Sequence, residues 1–209
     1  MKIMIGIIDY GMGNLHSVSK AIERLGYQYI ISGNKEELGN ASTLLLPGVG
    51  AFGDAMDNLN RLELTEEIIE RAVKGTPILG ICLGMQLLFE QSEEYGIHQG
   101  LGLLPGKVVR FQGDYKIPHM GWNQLHFLQR EHPLLTGLEE GHVYFVHSYY
   151  VKTENRGILL AAAQYHQEVP AVVGRGRIIG MQFHPEKSSA MGMALLKRFL
   201  EESEVGVWA

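Results

Sequence analysis

One cysteine, one His-Pro-Glu tripeptide and a glycine-rich loop carry the chemistry legible in this sequence. Cys82 lies in Gly80-Ile81-Cys82-Leu83-Gly84, where the apolar stretch Pro77-Ile78-Leu79 gives way to Met85-Gln86-Leu87-Leu88-Phe89, rich in helix formers. That order predicts a strand, a sharp turn and a helix, the arrangement that presents a nucleophile at the edge of a sheet. The flanking glycines fit because a Cβ at either position would crowd the turn and the neighbouring strands. A lone cysteine is most often a small buried hydrophobe, so the case for a nucleophile needs a base. His184-Pro185-Glu186 supplies one. It closes the β-prone run Arg177-Ile178-Ile179-Gly180-Met181-Gln182-Phe183, and Pro185 cannot continue a ladder, so His184 is expected at the carboxyl end of a strand. In an extended segment residues 184 and 186 project to one side. The imidazole can then take the thiol proton while the carboxylate fixes its tautomer, which is the chemistry of covalent acyl transfer through sulfur.

The elements that must position these groups alternate. A fully buried strand is expected over Ile3 to Ile8, then a glycine turn and a helix from about Leu15 to Leu25, ended by Gly26. Further strands are expected at Tyr27 to Ser32 and Thr43 to Leu46, the latter running into Pro47-Gly48-Val49-Gly50. A helical stretch follows, with Leu59, Leu62, Ile68, Ile69 and Val73 as its core positions. After Phe89 glycine and β-branched residues dominate at 100–111, 143–151, 158–163 and 170–183, and Val172 to Ile179 predicts a hairpin. Ser188 or Ser189 is placed to cap a last helix reaching about Leu200, with Met191, Leu195 and Phe199 on one face. The fold class this implies is α/β. A mostly parallel open sheet is flanked by helices, with antiparallel strands added in the C-terminal half. With no repeat, linker or low-complexity tract, residues 1–209 are read as one domain.

Composition narrows the function. The formal net charge of -5 argues against generic nucleic-acid binding. No apolar run approaches the ~20 residues of a membrane span, and Met1 to Ile8 is too short for a signal sequence, meeting Asp9 at once. One cysteine allows no internal disulfide, consistent with a reducing cytoplasm. Gly11-Met12-Gly13-Asn14-Leu15-His16 begins like a dinucleotide fingerprint but has His16 where the third glycine belongs, so no cofactor is expected. Nine histidines invite a zinc reading, but a nucleobase deaminase needs a Pro-Cys-x-x-Cys downstream of its His-x-Glu, and the single cysteine lies upstream. No metal is expected.

Elbow cysteine, late His-x-Glu and upstream Pro-Gly loop together resemble the class I (triad) glutamine amidotransferases over essentially the whole chain. Within that family, Asp9 to Leu15, Pro47 to Phe52, Pro118 to Asn123 and His147-Ser148-Tyr149 are most similar to the glutaminase subunits of imidazole glycerol phosphate synthases. Val49, where other branches carry a second proline, points the same way. The resemblance implies a glutaminase with Cys82, His184 and Glu186 as catalytic residues. Oxyanion donors are expected from Leu83 and from Val49 or Gly50, and glutamine contacts from Gly48, Gln86, Ser148 and Tyr149. It further implies a heterodimer with a (β/α)₈-barrel cyclase, to which ammonia passes. Asn14, Met120, Gly121, Trp122, Asn123 and Lys187 are then interface residues, with Trp122 as a loop-borne anchor. A glutaminase for pyridoxal phosphate synthesis, or a non-catalytic subunit with this fold, would be the rival readings.

Overall fold

The computed structural model describes residues 3–206; Met1 and Lys2, part of the stretch weighed as a signal sequence, lie outside the described residues. In chain order the elements are β1 (Met4–Ile8), α1 (Leu15–Arg24), β2 (Gln28–Ser32), α2 (Lys35–Leu38), β3 (Thr43–Gly48), α3 (Phe52–Arg61), α4 (Leu64–Val73), β4 (Ile78–Cys82), α5 (Leu83–Leu87) and β5 (Phe89–Ser92). They continue as β6 (His98–Gln99), β7 (Leu104–Arg110), β8 (His119–Gln124), β9 (His126–Phe127), β10 (His142–His147), β11 (Tyr149–Lys152), β12 (Leu159–Tyr165), β13 (Gln167–Arg175), β14 (Ile178–Met181) and α6 (Ser189–Val205).

The main sheet runs β2-β1-β3-β4-β14-β13-β12-β9. Its first five strands are parallel and the rest antiparallel, as expected of the C-terminal half. The alternation of side chains across the strands builds one core on each face. On one face Ile5 and Ile7 pack with Val18 and Ile22 of α1 and with Leu195, Leu196, Phe199 and Leu200 of α6. On the other, Ile8, Leu44 and Leu46 pack with Phe52 and Leu59 of α3 and with Leu64 and Ile68 of α4. Two small sheets, β11-β7-β5-β6 and β10-β8, lie outside this layer. Among the described residues no helix is long and apolar enough to cross a membrane.

Four expectations change. The helical stretch after β3 is two helices, broken where Glu63 adopts a left-handed backbone (φ 56°). Val73 is not a core residue but 82 % exposed, because the buried stripe of α4 is set by Leu64 and Ile68, four residues apart. The elbow helix is only five residues long, and Phe89 already belongs to β5. Ser188 does not cap α6. Its hydroxyl donates to the His184 carbonyl at 2.6 Å and accepts from the Tyr144 N–H at 2.9 Å.

The β4–α5 junction depends on missing side chains. A Cβ at Gly84 would lie 1.7 Å from the Leu46 carbonyl oxygen of β3, and one at Gly80 would lie 2.5 Å from the Gly84 carbonyl oxygen. Both obstacles are backbone held in the central layer, so neither can yield cheaply. Gly84→Ala is therefore expected to cost about 3 kcal/mol or more in urea unfolding. Gly75→Ala has a positive φ but nothing within 4 Å of the new methyl, and should cost only about 1 kcal/mol.

Candidate active site

A cavity of about 340 Å³ opens where the parallel strands end. It is lined by Val49 and Gly50 after β3, Cys82 and Leu83 at the elbow, Gln86 on α5, Glu94 after β5, the segment Val146 to Tyr149, Pro118 and His184. The in-register pairing of β3 and β4 sets Gly48 beside Cys82, and the pairing of β4 with β14 brings the segment after Met181 alongside. Residues far apart in sequence therefore meet because three parallel strands end together.

Cys82 sits at the turn with φ 56° and ψ -111°, a backbone that L residues rarely adopt. It is a free cysteine, almost fully buried, with its sulfur on the cavity wall. His184 Nδ1 lies 2.9 Å from Glu186 Oε1, and both side chains are buried. The segment that pairs them is not the extended one expected. Pro185–Lys187 form a single 3₁₀ turn, which curls the carboxylate back onto the ring. Burial opposes charge on His184, but hydrogen bonds and charge from Cys82 and Glu186 outweigh it and raise the imidazole pKa to about 10. An imidazole held this way is the base that a cysteine nucleophile needs beside it.

The oxyanion candidates line the cavity. Leu83 opens α5, so its backbone N–H has no intrahelical partner and points outward from the helix end. At five residues α5 carries little dipole beyond those local N–H groups. Val49 and Gly50 lie across from it on the loop after β3. Gly48 is different. It is not on the wall but behind it, where a Cβ would meet the Tyr10 hydroxyl at 2.4 Å.

Gln86 is buried, not on a helix surface. Its Nε2 donates to the Tyr149 carbonyl and to Gln182 Oε1, both at 3.0 Å, which leaves Oε1 free to accept from a ligand. Ser148 and Tyr149 line the same wall. Glu94 was not singled out in the sequence, where it follows Glu93 with no motif to choose between them. Its Oε2 accepts the Phe52 N–H at 2.7 Å, serving as the cap that Ala51 cannot provide for α3, and burial raises its carboxyl pKa despite that bond. His147, Pro118 and Val146 complete the lining; a histidine beside the Ser148-Tyr149 pair was the one available hint.

The residues expected at an interface divide. Residues 119–124 are strand β8, paired with β10, and not a loop. Met120 and Trp122 project outward, 50 % and 53 % exposed, and Lys187 is exposed beside the His184 turn. Asn123 is engaged within the chain, its Nδ2 2.9 Å from the Gln164 carbonyl, and Gly121 opens onto empty space, with nothing within 4 Å of where a Cβ would stand. Asn14 caps α1 by accepting from Ser17 N–H at 3.2 Å.

Residues 6–203 match the family model described as Glutamine amidotransferase class-I. The protein named imidazole glycerol phosphate synthase subunit HisH in Halalkalibacterium halodurans is 60% identical over 212 aligned positions, covering 99% of each chain. That of Geobacillus kaustophilus is 61% identical, covering 94% of this chain and 96% of its own. A crystal structure of a glutamine amidotransferase superimposes with a TM-score of 0.77 at 22% identity, over 96% of this chain and 98% of its own, and shows the same fold.

The Glu186–His184 pair has a pH signature. Its folded pKa lies above the ordinary imidazole value of ~6.5, so the pair contributes stability below that pH and loses it as pH rises through about 10. The unfolding free-energy gap between the native chain and Glu186→Gln should therefore be widest between the ordinary carboxylate range and the ordinary imidazole value, and narrow toward pH 10. In the variant, the His184 resonance should titrate closer to the ordinary imidazole value.

Proposed function

This chain belongs to the class-I glutamine amidotransferase family, and we propose that its cavity hydrolyses glutamine with Cys82, His184 and Glu186 as the catalytic residues. Close relatives named as a subunit of imidazole glycerol phosphate synthase identify the activity as that enzyme's glutaminase, which supplies ammonia in histidine biosynthesis. The observation that carries the reading is the buried Glu186–His184 hydrogen bond opening onto the same cavity as the strained Cys82.

The Cys82 thiolate attacks the side-chain amide carbon of glutamine. The Leu83 N–H, with Val49 or Gly50 opposite, meets the charge that moves onto the amide oxygen; one such donor typically accounts for ~10²–10³ in rate. His184 passes its proton to the departing nitrogen, the C–N bond breaks, and ammonia leaves a γ-glutamyl thioester on sulfur. His184 then takes a proton from water as the water attacks the thioester, glutamate departs and the thiolate returns. Glu186 keeps the ring oriented and stabilises its cationic form through both halves. Gln86 Oε1 and the Glu94 carboxylate face the cavity and suit the α-ammonium end of the substrate, with Ser148 and Tyr149 on the same wall.

Ammonia formed here needs an acceptor enzyme, and the partner proposed is a (β/α)₈-barrel cyclase bound as a heterodimer in the cytoplasm. Met120 and Trp122, both exposed on β8, are its proposed anchors, with Lys187 a further contact. Asn14, at the turn between β1 and α1, is a further proposed contact. A regulatory subunit without chemistry would have no use for a nucleophile held on a strained turn.

In the reconstituted enzyme, Cys82→Ala should remove glutamine-dependent product formation by at least about 10³-fold while ammonia-dependent synthesis by the cyclase persists. Unchanged glutamine-dependent activity would refute the assignment. Trp122→Ala should weaken the complex by about tenfold or more in a titration with the cyclase, with the isolated subunit's melting curve unaltered.

A further inference from the structure

One backbone carbonyl dictates the donor and acceptor sense of the polar side chains behind the cavity wall. The Tyr149 carbonyl can only accept, and it does so from Gln86 Nε2 at 3.0 Å and from His147 Nδ1 at 2.7 Å. Gln86 must therefore turn its amide nitrogen inward, and the second N–H of that nitrogen goes to Gln182 Oε1 at 3.0 Å. With its oxygen so engaged, Gln182 has only its own nitrogen to present on the other side. There Nε2 lies 3.9 Å from Cys82 Sγ.

The second arm from the same carbonyl is equally one-way. His147 carries its proton on Nδ1, so Nε2 must accept, and its neighbour at 3.0 Å, His119 Nδ1, must donate. His119 Nε2 then accepts from Asn123 Nδ2 at 3.3 Å. Each ring has one donor and one acceptor in use, so both must be neutral. Burial, aided for His147 by the neighbouring histidines, holds their pKa values down, to about 3 for His147 and about 4 for His119.

We propose that Gln182 is a further catalytic residue, an N–H donor to the Cys82 sulfur whose amide orientation is locked through Gln86 by the Tyr149 carbonyl. The proposal rests on the glutaminase reading for its role but not for its geometry. Gln182 is 0 % exposed, so an amide turned the other way would lose both partners with no bulk water to replace them. Flipped, it would set an oxygen against an anionic sulfur and a nitrogen against the Gln86 nitrogen, two repulsive contacts for two attractive ones. Gln182 keeps both its protons throughout. Its N–H steadies the thiolate before attack, loosens as charge passes to the substrate oxygen, and steadies the sulfur again when the thioester breaks.

Cys82 also faces His184, and its charge is felt by the buried Tyr10; Glu94 and His147 share the cavity wall. These groups are common to the native chain and the test variant, so a difference between the two reports Gln182. As the chain holds one cysteine, alkylation by iodoacetamide followed by mass spectrometry reads Cys82 alone. In Gln182→Met, which keeps the length and removes the donor, the pH midpoint of alkylation should rise by about one unit. In the reconstituted enzyme kcat should fall about tenfold, with a smaller rise in KM for glutamine because Gln86 loses its partner on Gln182. An unmoved midpoint in a folded variant overturns the proposal. Should that variant not fold, the native chain decides: the Gln182 side-chain amide resonance should titrate at the Cys82 alkylation midpoint, and a resonance indifferent to that transition overturns it. Alkylation needs neither glutamine nor cyclase. Missing glutaminase activity would therefore sink the functional reading alone.

Discussion

The structure turns on the backbone of one residue. Cys82 is held at φ 56° between a strand and a helix, a conformation that costs of order 1–3 kcal/mol and persists only where its surroundings leave no alternative. Here they leave none. β4 is buried on both faces and paired on both edges, to β3 and to β14, so the strand cannot slide or twist to relax its last residue. The helix that follows lies so close to β3 that only hydrogen fits at Gly84. The strain fixes the sulfur on the cavity wall, at the carboxyl ends of the parallel strands. The loop after β3 and the turn after β14 are delivered to the same place by the same register.

A rigid sulfur needs a matched base, and here two electrostatic effects of opposite sign compete. Burial alone would keep His184 neutral, and it does keep His119 and His147 neutral, with no carboxylate bonded to either ring. His184 differs because its Nδ1 meets Glu186 and its other side meets the thiol, so the charged ring is the favoured form. Three buried histidines in one protein thus take opposite states according to their bonded partners. The neutral pair suits a structural chain with fixed direction; the charged one suits proton transfer.

Much of this was legible in the sequence, for physical reasons. The parallel layer followed from buried strands alternating with helices, and the hairpin from Val172 to Ile179 formed as β13 and β14. Cys82, His184 and Glu186 were visible because glycines and a proline constrain their backbones, and backbone constraint is a local property. What stayed hidden depended on three-dimensional neighbours. Glu94 and Gln182 sit in no motif, and their placement follows from which strands end beside β4. Ser188 looked like a helix cap because Ser before a helix usually is one, yet two backbone groups of other segments took its hydroxyl first. The Met120–Asn123 stretch reads as a loop from its glycine and asparagine, while pairing with β10 makes it a strand and engages Asn123 with the Gln164 carbonyl.

That strand also connects the exposed face to the segment that carries the base. β8 and β10 form a two-stranded sheet of their own, held to the eight-stranded layer by the Asn123 bond to β12 and by Val143 and Phe145 in its core. Trp122 stands opposite Tyr144 in that pair, their rings 6.1 Å apart. The backbone of Tyr144 is tied to the His184 turn in both directions. His184 N–H donates to its carbonyl at 3.2 Å, and its own N–H donates to Ser188, which in turn donates to the His184 carbonyl. One strand pair therefore joins Trp122 to the segment carrying the imidazole. Cys82 is anchored separately, between β3 and β14. In the proposed assembly a cyclase docked on Trp122 would sit one strand pair from the segment that carries the base, where a small displacement is enough to change the geometry of proton transfer.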